Sequence, residues 1–418
     1  MKGKQVSATQ SSLGFLGNVS DPLPRVRPQD VGLSPERLAY VAEVLNADIA
    51  AGKMPGAVLA IARRGKLAFL ETYGMRDKAA GAAMTADALF NIASMTKPVT
   101  ALAALQLFEQ GRLLIDDPVA KYFPQFETMK VAVLDDKQDK IVDTVPASRQ
   151  ITLHDLMRHT SGLVYGGRGT TAVHKLFPEG SGVAGSGMSA REVLDKLSGA
   201  PLYHQPGAVW DYGFGLDVLG LVIEQIAGMS LGEYFRQHIF TPLGMDDTGY
   251  LIPPEKAGRY AVGLSDGSTG PVLHDPRKPL KFECGGACLA SSATDYLRFA
   301  QMLLNRGKFG GERILSRKAA EFMLSNHLSD KVDNRIANAD PTRAGYGFGL
   351  GLAVRTKDGV TPMLGSAGEF NWPGAGGTNW WGDPREDMAV VYMAVTPGPI
   401  RWHYRQLVNA LVYQAIAD

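Results

Sequence analysis

The sequence predicts an α/β fold in which an antiparallel sheet, flanked by the two terminal helices, carries a mostly helical insertion. Three observations predict this fold. Both ends of the chain contain apolar strand runs broken by turn signals, each end also has a helix, and the middle repeats apolar residues with the helical period. The simplest packing places both ends in one sheet.

The first predicted elements are an arm, a helix and a hairpin. Residues 1–30 have the pattern of an irregular arm. A Ser-Pro-Glu sequence at Ser34 is typical of a helix start, and the helix runs amphipathically to Gly52. The next segment, GAVLAIARRGKLAFLETYG, has two apolar runs joined at residues 63–65. This pattern indicates a β-hairpin.

The middle of the chain is predicted to be mostly helical and the end to return to strands. Segments such as TLHDLMRH and FGLDVLGLVIEQIAG carry the helical period. The glycine-rich residues 165–188 indicate a long surface loop, and such loops are often functional. The closing segment RWHYRQLVNALVYQAIA is predicted to be a helix. We therefore expect a sheet lobe (31–93 and 301–418), a helical lobe (94–300) and an active site between them.

Composition and charge exclude several classes of partner. The chain has 43 Lys plus Arg against 42 Asp plus Glu, so no global field favours nucleic acid or an anionic membrane. No apolar run is long enough for a signal-peptide core or a membrane span. The sequence predicts a cytoplasmic protein with a small-molecule partner and leaves the oligomeric state open.

The chain contains two cysteines, Cys284 and Cys288, in the segment CGGAC. Two cysteines make no disulfide framework. Without a nearby histidine pair at ligand spacing, they also make a poor zinc site. We expect two small buried side chains beside glycines, and neither a metal nor a cofactor.

The candidate chemistry begins with the only Ser-x-x-Lys of the chain, at Ser94 and Lys97. Residues three apart on a helix share a face, so the lysine amine can reach the serine hydroxyl. A helix start also offers unpaired N–H groups, and the N–H of Ser94 would stabilise an oxyanion. Burial and the positive helix end would favour a neutral amine that accepts a proton. Taken alone, the motif also fits a serine helix cap with a surface lysine.

Longer segments resemble a known family. They are SMTKPVTALAALQLFEQGRLLIDDPVAKYFPQF, ITLHDLMRHTSGL, PGAVWDYGFGLDVLGLVIEQIAG, GGACLASSATDYLRFAQMLLN and GYGFGLGLAV. Together they resemble the serine β-lactamase and penicillin-binding-protein superfamily, and within it the class C-like branch with family VIII carboxylesterases and fungal statin-side-chain acyltransferases. The resemblance covers about residues 30–415. It implies a β-lactamase-like fold with the active site between a sheet lobe and a helical lobe.

The resemblance also implies roles for matching residues. Ser94 matches the acylated nucleophile and Lys97 its partner lysine. Tyr212, in WDYGFG, matches the tyrosine that helps deprotonate the serine and protonates the leaving group. A tyrosinate beside an ammonium can act as such a base, with the proton shared by the pair. Ala375 would supply the second oxyanion N–H, and Tyr212 could instead be a core aromatic beside Trp210.

Two positions depart from the family pattern. Trp372, in NWPGAGGTNWW, stands where the family has the lysine of its Lys-Thr-Gly motif, and Phe214 replaces the Asn of Tyr-x-Asn. That lysine binds substrate carboxylates in the family, so the apolar Trp372 removes the anchor for anions. We therefore expect Trp372, Gly374 and Phe214 to bind neutral short-chain esters, as the similar Trp-x-Gly of family VIII esterases implies. Alternatively, Trp372 fills the core of the sheet.

The leading prediction is a serine carboxylesterase that acts on short acyl chains through an acyl-enzyme on Ser94, with weak β-lactam hydrolysis. The alternatives are an acyltransferase that uses an alcohol instead of water, a class C-like β-lactamase, and a catalytically silent binding homologue. Retention of Ser94, Lys97 and Tyr212 together argues against the silent homologue.

Two further residues compete for catalytic roles. Ser265 in GLSDG satisfies the Gly-x-Ser-x-Gly elbow of α/β-hydrolases. The elbow requires a following helix, whereas STGPVLHDPRKPL has no helical period. His159, in MRHTSGL, recurs in the resembling family as a structural position. We expect neither residue to be catalytic.

Overall fold

The computed structural model describes residues 22–264 and 273–418. Its strands are β1 (Gly56–Arg63), β2 (Lys66–Asp77), β3 (Ala82–Ala83), β4 (Phe90–Asn91), β5 (Lys130–Leu134), β6 (Ile141–Pro146), β7 (Val209–Trp210), β8 (Ala290–Ser291), β9 (Lys308–Phe309), β10 (Glu312–Arg313), β11 (Asp333–Asn334), β12 (Gly347–Phe348), β13 (Ala353–Val354), β14 (Phe370–Asn371), β15 (Asn379–Asp383) and β16 (Met388–Ala394).

The α-helices are α1 (Pro35–Ala50), α2 (Thr96–Glu109), α3 (Leu153–Met157), α4 (Ser181–Gly187), α5 (Ala190–Gly199), α6 (Gly215–Ala227), α7 (Leu231–Phe235), α8 (Thr241–Leu243), α9 (Ala293–Leu304), α10 (Arg317–Met323), α11 (Ile336–Ala339) and α12 (Ile400–Tyr413). Short 3-10 turns include Pro28–Val31, Ala93–Met95, Gly166–Arg168 and His174–Leu176. Residues Arg236–Phe240 form a π-helical turn.

The N-terminal helix and hairpin form where the sequence predicts them. The Ser34 side chain caps α1 by accepting a hydrogen bond from the backbone N–H of Arg37, and Pro35 occupies the first helical position, where proline is favoured. Strands β1 and β2 pair antiparallel, with Arg63 opposite Lys66 at the turn.

The predicted sheet joins the two ends of the chain. Its strand order is β12-β13-β14-β15-β16-β1-β2-β3. Strands β1 and β16 pair antiparallel, from Ala57 opposite Ala394 to Arg63 opposite Met388. Helices α1 and α12 contact each other and bury apolar side chains with one face of the sheet, including Val41, Leu45, Trp381, Val408 and Val412. The structure therefore confirms the predicted fold class.

Helix α2 lies in the core beyond the other face of the sheet. All its residues from Thr96 to Leu107 are buried, as expected for a helix that is apolar on every side. Helices α6 and α7 pack against α2, while α9 packs against β1, β15 and β16. Ser94 and Lys97, at the N-terminal end of α2, are therefore anchored to the core.

Two segments differ from their predicted structure. Strands β5 and β6 form a hairpin inside the region predicted to be mostly helical, and most of its side chains are partly or fully exposed. Exposed strands lack the apolar pattern that identifies buried ones. Residues 165–188 are not one loop, because they contain two 3-10 turns and α4. The boundaries of the two lobes stay a prediction.

The two cysteines are joined by a disulfide, which corrects the expectation of separate thiols. Their Cα atoms are 6.0 Å apart, within the range of disulfides. Both residues are fully buried, as expected. Cys288 has a φ of +83°, a left-handed conformation that turns the chain back toward Cys284. A count of cysteines does not reveal such a turn.

The helices differ from membrane spans in length and composition. Within residues 22–264 and 273–418, no single helix is long and apolar enough to cross a membrane. One bent pair, Gly215–Ala227 with Leu231–Leu243, passes by length and composition together, with a bend of 77°. Residues 215–223 of this pair are all buried within the protein.

Candidate active site

Ser94 lies in the 3-10 turn that leads into α2. The residue before it, Ala93, has a φ of +44°, a left-handed conformation that is uncommon outside glycine. The N–H of Ala93 donates to Oδ1 of Asn91 at 2.9 Å and supports this turn. Lys97 follows one turn later on the same side, with Nζ 3.4 Å from the Ser94 Oγ. The structure thus brings the two predicted residues together.

Lys97 is held in a buried site that suits a cation. Its side chain is 1% exposed, and Nζ donates to the carbonyl oxygen of Gly286 at 2.5 Å. Nζ also lies 4.5 Å from the ring centroid of Tyr212 and 5.4 Å from that of Tyr165. A carbonyl oxygen and two aromatic faces all stabilise an ammonium. These contacts fix Nζ beside the Ser94 hydroxyl, and the neutral amine expected from burial stays a prediction.

Gly286 is itself fixed by a buried carboxylate. Its N–H donates to Asp217 at 3.0 Å, and Asp217 also accepts from the hydroxyls of Ser181 and Tyr165. Burial raises the pKa of the Asp217 carboxyl, and the charge of Lys97 opposes this. A Cβ on Gly286 would lie 2.4 Å from Asp217, so a side chain does not fit. Sequence reasoning missed this network because no motif links its members.

The hydroxyl of Tyr212 joins the nucleophile to Trp372. It donates to the Ser94 Oγ at 2.7 Å. The indole N–H of Trp372 donates to the same Tyr212 oxygen at 3.0 Å. The Tyr212 oxygen therefore has hydrogen bonds to both Ser94 and Trp372, and the Lys97 Nζ lies 4.5 Å from the Tyr212 ring centroid. Groups in these positions would stabilise negative charge on the Tyr212 oxygen.

His159 packs against the ring of Tyr212. The two ring centroids are 4.7 Å apart, and Nδ1 of His159 accepts from the N–H of Gly213 at 3.5 Å. Complete burial holds the pKa of His159 well below its usual value, with further lowering from Lys97 and Arg168. The imidazole is therefore neutral and supports the tyrosine sterically.

Two predicted substrate contacts lie behind the cavity surface. Trp372 is 2% exposed and packs among Tyr212, Trp210 and Phe348, so it fills the core, as the alternative prediction held. Phe214 is fully buried at the N-cap of α6 and packs edge to face with another aromatic ring. The expectation that Phe214 shapes the substrate surface is wrong in this structure, because the backbone turn before α6 directs its side chain into the core.

Gly374, a predicted substrate contact, does not line the cavity and instead packs closely against the backbone before Ser94. A Cβ on Gly374 would lie 2.6 Å from the carbonyl oxygen of Ile92, so this close approach requires glycine. The next residue, Ala375, lines the same cavity as Ser94. Among the described residues, neither the Ser94 nor the Ala375 N–H has a hydrogen-bond acceptor. Two free N–H groups at one cavity are what an oxyanion requires.

The cavity has a volume of about 740 Å³, which is in the range of small-molecule sites. Four predicted residues line it: Ser94, Lys97, Tyr212 and Ala375. The wall also includes residues from 165–183, the loop at Gly286, α11 and the start of α12. In the part of the chain that is described, no group of three or more His, Cys, Asp or Glu side chains could hold a metal ion. The competing residue Ser265 lies outside the described residues.

Comparisons with known proteins agree with this architecture. The β-lactamase family model matches residues 41–412. Protein Rv1367c from Mycobacterium tuberculosis is 37% identical over 351 residues, which cover 82% of this chain and 86% of that protein. Esterase EstB from Burkholderia gladioli is 30% identical over 388 residues, which cover 86% of this chain and 91% of EstB.

A solved structure gives the same result at the level of the fold. EstCE1, described as a hydrolase with promiscuous acyltransferase activity, matches with a TM-score of 0.74 and 26% identity, over 90% of this chain and 99% of EstCE1. The family match spans most of the chain, and the relatives include esterases. The chain therefore belongs to the β-lactamase family and is a serine hydrolase of the β-lactamase superfamily.

Proposed function

We propose that the protein is a carboxylesterase that cleaves esters of short acyl chains through an acyl-enzyme on Ser94. The observation that carries this proposal is the contact of the Ser94 Oγ with both the Tyr212 hydroxyl, at 2.7 Å, and the Lys97 Nζ, at 3.4 Å. The two free N–H groups at the same cavity support it. The similarity to EstB supports an ester as the substrate.

In the first half-reaction, Tyr212 first releases its proton to solvent. The resulting phenolate takes the proton of Ser94 as Oγ attacks the ester carbon. The carbonyl oxygen becomes an oxyanion, which accepts hydrogen bonds from the N–H groups of Ser94 and Ala375. Lys97 and Trp372 stabilise the phenolate before the attack. Tyr212 then gives its proton to the alcohol oxygen as the carbon–oxygen bond breaks, leaving the acyl group on Ser94.

In the second half-reaction, water replaces the alcohol. Tyr212 takes a proton from water, and the resulting oxygen nucleophile attacks the acyl carbon. The bond to Ser94 breaks, and Tyr212 returns the proton to the serine oxygen. Tyr212 therefore takes a proton from the nucleophile and gives it to the leaving oxygen in each half-reaction, as microscopic reversibility requires.

Release of p-nitrophenol from acetate, butyrate and decanoate esters tests this function. We expect the wild type to turn over the acetate and butyrate esters fastest, and Ser94→Ala to abolish turnover. Ser265→Ala is the matched control and should retain activity. Loss of activity only in Ser265→Ala, or a preference for decanoate, would contradict the proposal. Saturating hydrolysis of a chromogenic cephalosporin faster than of any ester would favour a β-lactamase instead.

A second candidate is transfer of the acyl group to an alcohol. The cavity of about 740 Å³ has room for an acceptor larger than water, and the similar EstCE1 is described as having promiscuous acyltransferase activity. A bulky alcohol added to the butyrate assay separates the two reactions. New ester formed faster than free butyrate would favour the transferase, and butyrate as the main product would favour the esterase.

A further inference from the structure

Two arginines from distant parts of the chain meet at the active-site cavity. Arg168 ends the turn Gly166–Arg168, and its guanidinium carbon lies 4.7 Å from the ring centroid of Tyr212. Arg401 is in the first turn of α12. Both line the cavity that contains Ser94. No motif in the sequence pointed to either residue.

Neither guanidinium has a carboxylate within ion-pair distance among residues 22–264 and 273–418. Arg168 donates one hydrogen bond, to the carbonyl oxygen of Ala339 at 3.3 Å. Arg401 donates one, to the carbonyl oxygen of Gly398 at 2.6 Å. The Nε of Arg401 is buried and has no hydrogen-bond partner. Each guanidinium carries five N–H donors, so most of them remain available.

Arginines that stabilise the fold are bound differently. One turn further along α12, Arg405 is paired with Asp340 at 2.8 Å. Arg355 in the sheet is likewise paired, with Glu369 at 3.1 Å. Burial and then the positive charge of Arg168 lower the pKa of Arg401, an effect that Asp340 opposes. Two cations that repel each other at one cavity are stabilised when an anion binds between them.

The cavity as a whole is electropositive. Its lining contains three cations, Lys97, Arg168 and Arg401, against one carboxylate, that of Glu179. Glu179 is exposed and makes no ion pair with either arginine. The planar guanidinium matches a carboxylate with two parallel hydrogen bonds.

We propose that Arg168 and Arg401 form a subsite for a carboxylate carried by the ester substrate. This inference rests on the proposed esterase function and names its substrate class. The arginines replace the carboxylate anchor that is lost with Trp372, so the expectation of neutral esters is revised. Because Arg168 lies over the ring of Tyr212, which returns the proton to the leaving alcohol, the carboxylate belongs on the alcohol part of the ester.

A pair of esters that differ only in charge tests the subsite. The two are 3-acetoxybenzoate and 3-acetoxybenzamide, which share the acetyl group and a phenolic leaving group. We expect wild-type kcat/KM to be at least about tenfold higher for the benzoate than for the benzamide. A charge-assisted hydrogen bond between the carboxylate and an arginine stabilises the transition state by about this factor. A second pair, 4-nitrophenyl hydrogen adipate and 4-nitrophenyl hexanoate, carries the carboxylate on the acyl chain.

The variants are Arg168→Gln, Arg401→Gln and the double variant, with Arg191→Gln as the control. Arg191 lies on α5 with its side chain 91% exposed, and its variant should keep the wild-type preference. In the double variant, the ratio of kcat/KM for the charged to the neutral ester should fall at least about tenfold. Because the ratio divides one kcat/KM by the other, a loss of activity that affects both substrates equally does not change it. Arg401→Lys keeps the charge and should restore part of the preference.

The possible outcomes separate this inference from the proposed function. A charge preference in the benzoate pair that is lost in the double variant supports the subsite. A preference confined to the adipate pair contradicts the placement of the carboxylate on the alcohol part. Equal turnover of charged and neutral esters by the wild type, or a preference unchanged in the double variant, overturns the subsite. If the double variant does not fold, the charge preference of Arg168→Gln alone tests the subsite. If the wild type cleaves no ester at all, the proposed function fails instead.

Discussion

Replacing Trp372 with phenylalanine removes one hydrogen bond and leaves an aromatic ring in place. The indole N–H of Trp372 donates to the Tyr212 oxygen at 3.0 Å. Tyr212 is the proposed proton acceptor for Ser94, so the bond is made to an oxygen that carries charge during catalysis. The change therefore isolates the contribution of Trp372 to the proton transfer.

The expected size of the effect follows from the charge on the acceptor. A hydrogen bond to a charged group contributes about 1.5–3 kcal/mol. Its loss in the transition state lowers kcat by about 10- to 150-fold. Because Trp372 is 2% exposed and does not line the cavity, KM should change little.

Trp210 provides a matched control in the same aromatic cluster. Its ring stacks on Tyr212 with centroids 6.0 Å apart, and its indole N–H is buried without a hydrogen-bond partner. Trp210→Phe thus removes the same atoms from the same core and breaks no hydrogen bond. Both variants should lose similar thermal stability, which melting curves would measure.

The assay is steady-state hydrolysis of 4-nitrophenyl butyrate by the wild type and both variants across a range of pH. A fall in kcat confined to Trp372→Phe supports the proposed role. The reasoning is refuted if both variants lose activity equally, or if Trp372→Phe keeps kcat within twofold of the wild type.

Three further predictions concern the surroundings of the site and the stability of the fold. Asp217→Asn should lower kcat several-fold and also lower the melting temperature, because the amide keeps only one of the two oxygens that accept hydrogen bonds from Gly286, Ser181 and Tyr165; kinetics and melting curves test both. Replacing Cys284 and Cys288 together by serine, or reducing them with dithiothreitol, should lower kcat more than it changes KM, since Gly286 lies between them; thiol titration confirms reduction, and unchanged kinetics would contradict the prediction. Burial raises the pKa of Asp295 to about 7, so the folded protein holds a proton that the unfolded chain releases, and stability should fall as the pH rises from about 4 to 7. Urea unfolding at several pH values should show a flatter dependence in Asp295→Asn.

The fold could be predicted because its signals are local. The hairpin, the terminal helices and the apolar helix α2 each follow from spacing within a single segment. Residues 165–188 could not, because their structure depends on distant partners. For example, the Ser181 hydroxyl at the start of α4 donates to Asp217 at 2.8 Å. Glycine-rich composition alone indicates a loop.

The candidate site also contains residues that the sequence predicts and residues that it does not. Ser94 and Lys97 form a motif within one helical turn, and Tyr212 was placed by resemblance. Arg168 and Arg401 meet only because the folded chain brings two unrelated segments to one cavity. No periodicity or spacing in the sequence indicates that these two segments lie close together. The two arginines could therefore be identified only from the structure.

The pairing of β1 with β16 has a consequence for how the chain folds during synthesis. Strand β1 is synthesised hundreds of residues before its partner strand β16. Until β16 is made, one edge of the apolar β1–β2 hairpin is unpaired, a state that favours aggregation. Helices α2 to α9 are complete before the sheet closes. The nascent chain must therefore shield this edge, and slower synthesis of the residues between β2 and β16 would prolong its exposure.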